Sequence, residues 1–198
     1  MDRLLECTRL YNNLLDIKFK VILGRKNVET PLTISFSKDE YHHLIGLHKL
    51  KDRSNIRTKK RSVIFDEILN GNISYSSISN SAYINEIDER LEAILHIGDF
   101  FNGEINNTFF RFYSRNLPFY SSIDADYLIH YTNSADNIYL FLKKDTLTTD
   151  FKPNSIFFKK SSSYEQGQTR YTLLSLSKVC SGNEETIFIN PVYRHQDD

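Results

Sequence analysis

Hydrophobic positions recur at two different spacings along this chain, and the change of spacing divides it. From residue 3 to 15 they fall at helical intervals, with Leu4, Cys7, Tyr11 and Leu14 on one face. The period then shortens. Phe19-Lys20-Val21-Ile22-Leu23 and Leu32-Thr33-Ile34-Ser35-Phe36 flank a turn around Gly24-Arg25-Lys26-Asn27, which is the pattern of a β-hairpin. Ser37 follows as a helix N-cap. Glu40, three residues on, is placed to complete a capping box, and Phe36 and Tyr41 to form a hydrophobic staple. A helix beginning at Lys38 is therefore expected, with its periodic positions reaching Leu50.

A further helix has Val63, Ile64, Phe65, Ile68 and Leu69 as its core side and is stopped by Asn70-Gly71. Residues 72–81, rich in serine and asparagine, read as a loop. The longest helix is expected over about 82–101, burying Ile84, Ile87, Leu91, Ile94, Leu95 and Gly98. Its acidic face of Glu86, Asp88, Glu89 and Glu92 reads as solvated, docking of a basic partner or inhibitor being the rarer meaning. From residue 107 the chain turns to strands: Phe109–Tyr113, Tyr127–Tyr131, Ile138–Leu142, Ser155–Lys159, Arg170–Ser177 and Thr186–Ile189. Short spacers such as Asn133-Ser134-Ala135-Asp136-Asn137 and Ser181-Gly182-Asn183 favour antiparallel pairing. The expected class is α+β, with N-terminal helices packed on a C-terminal antiparallel β-sheet. Without a repeat or a dividing linker, residues 1–198 read as one domain, 1–101 mainly helical apart from the hairpin and 107–190 forming the sheet. The last five residues, 194–198, read as a frayed tail.

Composition narrows the function. The 198 residues are 40% hydrophobic with only 7 glycines and 4 prolines, which is a globular balance. Formal net charge is zero, so a nucleic-acid partner would have to be held by a local patch. Cys7 and Cys180 allow one disulfide but no disulfide framework and no zinc site. No apolar run approaches a membrane span and the N-terminus lacks a signal peptide, so the cytosol is the expected compartment and no membrane is a partner. There is no GxSxG, HExxH, P-loop or cysteine cluster.

Candidate chemistry gathers in three places. At about 100° per residue, His48 falls within the stripe of Tyr41, Leu44 and Ile45, and His43 falls beside Leu47 and Leu50. His42, Gly46 and Lys49 make a narrow polar arc. Two imidazoles on faces that pattern would bury are either hydrogen-bonded core histidines or working groups. On a continuous helix their rings would point about 140° apart, which argues against shared metal ligation. Directly after them come Lys49, Lys51, Arg53, Arg57, Lys59, Lys60 and Arg61, opposed only by Asp52. This run is a solvated loop or a phosphate-binding surface beside a catalytic group. The stretch from Lys159 to Arg170 carries cations, hydroxyls and a phenol. It is a polar hairpin tip, or a loop from which Tyr164, Thr169 and Arg170 face the histidines across a cleft. Metal-free RNA cleavage needs groups that exchange protons near neutrality, where His titrates, and fixed donors for the charge on phosphorus. Both kinds are present.

The segment His43-Leu44-Ile45-Gly46-Leu47-His48-Lys49-Leu50 resembles the HLxGLHKL signature of a phage-type group in the barnase–EndoU–colicin–RelE nuclease superfamily. The resemblance implies helices followed by an antiparallel sheet whose concave face holds RNA, and cleavage without metal or organic cofactor. It implies a metal-independent endoribonuclease, a toxin or phage-linked effector acting on cellular RNA, with a protein inhibitor or antitoxin as a further class of partner. His43, His48 and Lys49 are then first candidates for catalysis, with Tyr164, Thr169 and Arg170 second. Lys51, Arg53, Arg57, Lys59, Lys60 and Arg61 are the candidates for RNA contact. Two other readings stand beside this one. One is a non-catalytic RNA-binding or protein-interaction module on the same scaffold. The other is a small-molecule transferase, which would need a deep, mostly apolar pocket.

Overall fold

The computed structural model describes residues 2–103, 106–133, 136–159 and 163–193. Lys160, Ser161 and Ser162 of the candidate loop, Ser134-Ala135 of one strand spacer, and the expected tail at 194–198 lie outside the described residues.

Helix α1 (Arg3–Asn12) starts where the Asp2 carboxylate accepts the Leu5 N–H at 3.0 Å, and it buries Leu4, Cys7, Thr8 and Tyr11. Strands β1 (Ile17–Arg25) and β2 (Val28–Ser35) form the expected hairpin. Lys26 and Asn27 at its tip both have positive φ, 50° and 62°, which matches the right-handed twist of paired strands.

Helix α2 (Lys38–Leu44) begins where expected, though its cap differs. The Ser37 hydroxyl donates to the Glu40 carboxylate and caps no backbone N–H. Phe36 and Tyr41 both pack on Tyr11, at ring distances of 5.6 and 4.8 Å. The helix stops at Leu44. Gly46 turns left-handed at φ 83°, and Leu47–Lys49 make a single 3-10 turn. Helices α3 (Ser54–Arg57) and α4 (Arg61–Leu69) follow. The expected glycine stop closes α4: Gly71 has φ 77°, and the N–H groups of Gly71 and Asn72 reach the carbonyls of Ile68 and Glu67 at 3.0 and 2.8 Å. The serine-rich loop holds a short helix, α5 (Tyr75–Ile78), because Ser74 and Ser77 satisfy each other's backbone as a capping box and Ile78 is buried. Helix α6 (Asn85–Leu95) turns Ile87, Leu91, Ala93 and Ile94 inward. It ends short of residue 101, where a 3-10 turn over Asp99–Phe101 drives Phe100 and Phe101 into the core, Phe101 stacking on Phe19 at 4.3 Å.

All six expected C-terminal strands form: β3 (Asn107–Arg111), β4 (Tyr127–Asn133), β5 (Asp136–Lys144), β6 (Phe151–Lys159), β7 (Thr169–Cys180) and β8 (Asn183–Ile189). The N-terminal hairpin joins them. The order is β1-β2-β6-β5-β4-β3-β7-β8, and β1 also pairs with β7, from Ile17↔Cys180 to Gly24↔Thr172. The sheet thus returns on itself, with β8 extending it along β7. The β2–β6 meeting is parallel, at Ile34↔Phe151, so the eight-stranded sheet is mixed and mostly antiparallel.

Alternation along the strands separates two faces. Phe109, Ile129, Ile138, Leu140 and Ile156 join the helices in the main core, together with Leu4, Tyr11, Phe65 and Leu91. Phe110, Leu128, Tyr139 and Phe141 face outward and form a second core with Phe112 and Tyr164. Helix α2 packs between α4 and β6, while α6 lies on β6 and touches the Leu47–Lys49 turn. Among the described residues no helix is long and apolar enough to cross a membrane.

Candidate active site

The break at Gly46 decides how the histidines sit. His43 lies in the last turn of α2 and His48 in the 3-10 turn, so the continuous-helix expectation of divergent rings does not apply. Their imidazoles stack, with centroids 4.2 Å apart and planes 14° from parallel. Gly46 is needed twice over. Its φ of 83° is one L side chains rarely adopt, and a Cβ there would lie 2.9 Å from Arg90 Cδ. His42, expected on a polar arc, is instead 5% exposed, its ring 6.5 Å from that of His48. Arg90, reaching over from α6, donates from Nη1 to the Leu44 carbonyl at 3.1 Å and lays its guanidinium 4.6 Å from the Phe157 ring centre. Lys49 Nζ stands 3.6 Å from Glu86.

The surroundings keep these rings uncharged. Burial is the largest cause at each. It lowers His42 together with Arg61, and lowers His43 together with Arg90, Arg61 and Lys49. His48 is pushed down to about 3, by burial first and then by His43, Arg90, Lys49 and His42. The Ile56 backbone favours the charged form of His42, against the larger effect of burial. Both His42 nitrogens and His48 Nδ1 are buried without a hydrogen-bond partner among the described residues. Buried polar atoms are normally paired, and strain, a bound water or a working role are the usual reasons for an orphan. Arg90, Arg61 and Lys49 put positive charge beside the neutral imidazoles, opposed in part by Glu86 and Glu89. An anion held there would offset that positive charge and draw the histidine pKa values upward.

The second candidate cluster divides. Tyr164 is 9% exposed and packs its ring on Phe157, Tyr139 and Phe141 at 5.8, 5.1 and 5.3 Å. Burial raises its phenol and the charge of Arg90 opposes that rise, so Arg90 lies near Tyr164 as well as near the histidine turn. Arg170 pairs with Phe110 and so faces outward, on the same surface as Tyr139, with β3, β4 and β5 between its strand and β6. Thr169 pairs with Arg111, which pairs with the inward-facing Tyr127, and so faces the other way.

The basic run is likewise sorted. Lys59 is bound to Glu67 at 2.7 Å, and Lys51 lies 5.7 Å over the Tyr83 ring. Arg53 is half-buried, its Nε without a hydrogen-bond partner among the described residues. Arg57, Lys60 and Arg61 are exposed and have no carboxylate partner among the described residues, and the charge of Arg61 is felt at His42 and His43. Among the described residues of the run, these three are the exposed cations with neither a carboxylate nor a ring contact.

Arg90 was hidden from sequence reading inside the acidic helix. It is the single cation in Glu86-Ile87-Asp88-Glu89-Arg90-Leu91-Glu92, and that isolation is the signal that marks it. A second group emerges only from strand register. The His130 ring stacks on Tyr139 at 4.5 Å and 13°, and the Tyr139 hydroxyl donates to Glu165 at 2.8 Å. Burial and that carboxylate raise the phenol well above its usual range.

A family model described as phage-Barnase-EndoU-ColicinE5/D-RelE like nuclease 4 (PBECR4) matches residues 3–190. No curated protein and no solved structure matches the chain.

Proposed function

The chain belongs to this phage-Barnase-EndoU-ColicinE5/D-RelE like nuclease family, and on that premise we propose that it is an endoribonuclease cutting RNA through the 2′-hydroxyl. It acts without metal or organic cofactor, as one α+β domain in the cytosol. Its biological role is that of a toxin or phage-linked effector directed at cellular RNA, restrained where necessary by a protein inhibitor. Family membership supplies the nucleic-acid substrate. The observation that carries the mechanism is the stacked pair His43 and His48, 4.2 Å apart beside Arg90 and Lys49.

Two cationic imidazoles at that separation would repel strongly, so the pair holds at most one proton with ease. One ring is then a base and the other an acid. The neutral ring takes the 2′-hydroxyl proton as that oxygen attacks phosphorus. The other ring, protonated under the pull of the phosphate charge, gives its proton to the leaving 5′-oxygen. A 2′,3′-cyclic phosphate and a 5′-hydroxyl result. Arg90 and Lys49 offset charge on the phosphorane-like transition state, and Arg57, Lys60 and Arg61 hold the flanking backbone. Tyr164 keeps Phe157 and Arg90 in place, while Arg170, on the same outward surface, meets RNA farther along.

A non-catalytic RNA-binding module is the second reading. It is favoured by the depth to which His48 is lowered, to about 3, in the free protein. Cleavage of an RNA oligonucleotide in EDTA separates the two. His48→Ala and His43→Ala should each stay folded, still bind RNA, and lose about two orders of magnitude or more in rate. A deoxyribose at the cleavage site should block the reaction. Folded variants that cut at the wild-type rate would remove these histidines from the mechanism.

A further inference from the structure

The strand register places Thr108, His130, Tyr139 and Phe157 side by side across β3, β4, β5 and β6. Directly opposed residues share a face, and Tyr139 belongs to the outward core, so this whole row faces outward. At the β6 end the Arg90 guanidinium covers Phe157, 4.6 Å from its ring centre. On β4 stands an imidazole that is only half-buried, with Thr108 of β3 beyond it. The row therefore runs from the histidine turn, by way of Arg90, to His130.

His130 is held as a flat plate. One face rests on Tyr139 at 4.5 Å and 13°, and no other ring lies on it among the described residues. Its Nε2 is tied edge-on to Asn137 Oδ1 at 2.9 Å and to Thr132 Oγ1 at 3.3 Å. Tyr139 is fixed in turn by its hydrogen bond to Glu165 and by the edge of Tyr164, 5.1 Å away. A ring supported on one side, pinned in its own plane and only half-buried has the form of a stacking platform. Every base has a π-face, and such platforms are how proteins hold single strands without depending on sequence.

We propose that His130, backed by Tyr139, is the subsite that stacks an unpaired nucleobase of the RNA whose scissile phosphate lies at the histidine turn. This rests on the nuclease reading above and adds the place where the strand is gripped. Two strand spacings of about 4.8 Å separate His130 from Phe157, so a short stretch of single strand joins the platform to Arg90. Double-stranded RNA, with its bases stacked on each other, cannot use the platform and should bind more weakly at equal length.

The test uses binding rather than cleavage, with a fluorescent oligonucleotide made uncleavable by 2′-deoxy substitution throughout. His130→Thr keeps a strand-forming residue but removes the ring. It should weaken binding about fivefold or more, the effect of losing one base–aromatic stack. His130→Phe restores the ring without the nitrogens and should bind within about twofold of wild type. Wild-type affinity in His130→Thr would overturn the proposal. Equal loss in both variants, with melting temperatures unchanged, would overturn it too, because hydrogen bonding and not stacking would then be at work. If His43→Ala and His48→Ala cut RNA normally while His130→Thr binds poorly, the platform stands and the catalytic assignment falls. The reverse pattern removes the platform alone.

Discussion

The imidazoles of His43 and His48 lie face to face although α2 ends between them, and it is that ending which brings them together. Had the helix run on, the rings would have diverged by about 140°. Leu44 and Leu47, both fully buried, anchor the chain on either side of the reversal, and Arg90 occupies the space that any side chain at residue 46 would need.

Replacing that glycine should therefore be costly. Gly46→Ala meets a left-handed backbone penalty of about 1–2 kcal/mol and pushes Arg90 Cδ aside. Chemical denaturation should show at least that loss, and the variant should cut RNA poorly even under conditions where it is folded. Wild-type stability would mean the turn relaxes into another geometry.

Acid should act through the same rings. His48 has its folded pKa at about 3, below its ordinary value of 6.5, and His42 and His43 are lowered as well. The unfolded chain thus takes up protons before the folded one does. The stability contributed by the neutral rings is complete above about pH 6.5 and is lost as pH falls from there towards 3. Urea midpoints measured across that window should decline, and His48→Gln should flatten the decline.

Arg90 should matter more to rate than to binding. Arg90→Gln retains a donor for the Leu44 carbonyl but removes the charge, and should slow cleavage by about 100-fold, the scale seen when one donor to a developing oxyanion is lost. An unchanged turnover with a raised KM would make Arg90 a binding residue only.

Leu47 is fully buried within the histidine turn. Leu47→Ala should cost about 2–5 kcal/mol, read from denaturant unfolding. A loss as small as that of a surface substitution would show the turn to be peripheral.

Salt dependence should distinguish the paired cations from the free ones. With Arg57, Lys60 and Arg61 changed to Gln, the slope of log affinity against log salt should shrink by about 0.7 for each phosphate left without its cation. Lys59→Gln, whose charge is already taken by Glu67, should leave the slope nearly unchanged.

Local periodicity made most elements legible: α1, the hairpin, α4 with its glycine stop, and all six later strands follow from residue patterns a few positions long. The pairing of β1 with β7 was out of reach, because no local pattern tells a hairpin to leave the helices beside it in sequence and join a distant strand. The site was half legible. The residues at 43, 48 and 49 stood out by type, but a helical wheel assumes an unbroken helix and so hid the stacking. Gly46 itself carried the warning, since glycine after a helical run commonly marks the stop. Thr169 and Arg170 diverge for the simplest reason: neighbours in a strand point to opposite faces. His130 could be placed beside Tyr139 only through strand register, and Arg90 and Glu165, on a helix and a loop, only through tertiary contacts.

The closure of the sheet has a bearing on how the protein is made. Ile17 pairs with Cys180, which is made 163 residues later. Synthesis proceeds at about 5–20 residues per second, so the first hairpin waits for many seconds with one edge bare. Helix α2 and its histidines, complete in sequence early, rest on β6, a strand of the same unfinished sheet. Native order around the histidine turn therefore comes late. A nascent chain carries every residue of the turn well before it has β6, the strand that holds them, and full activity should appear only after that strand and its sheet partners have been made.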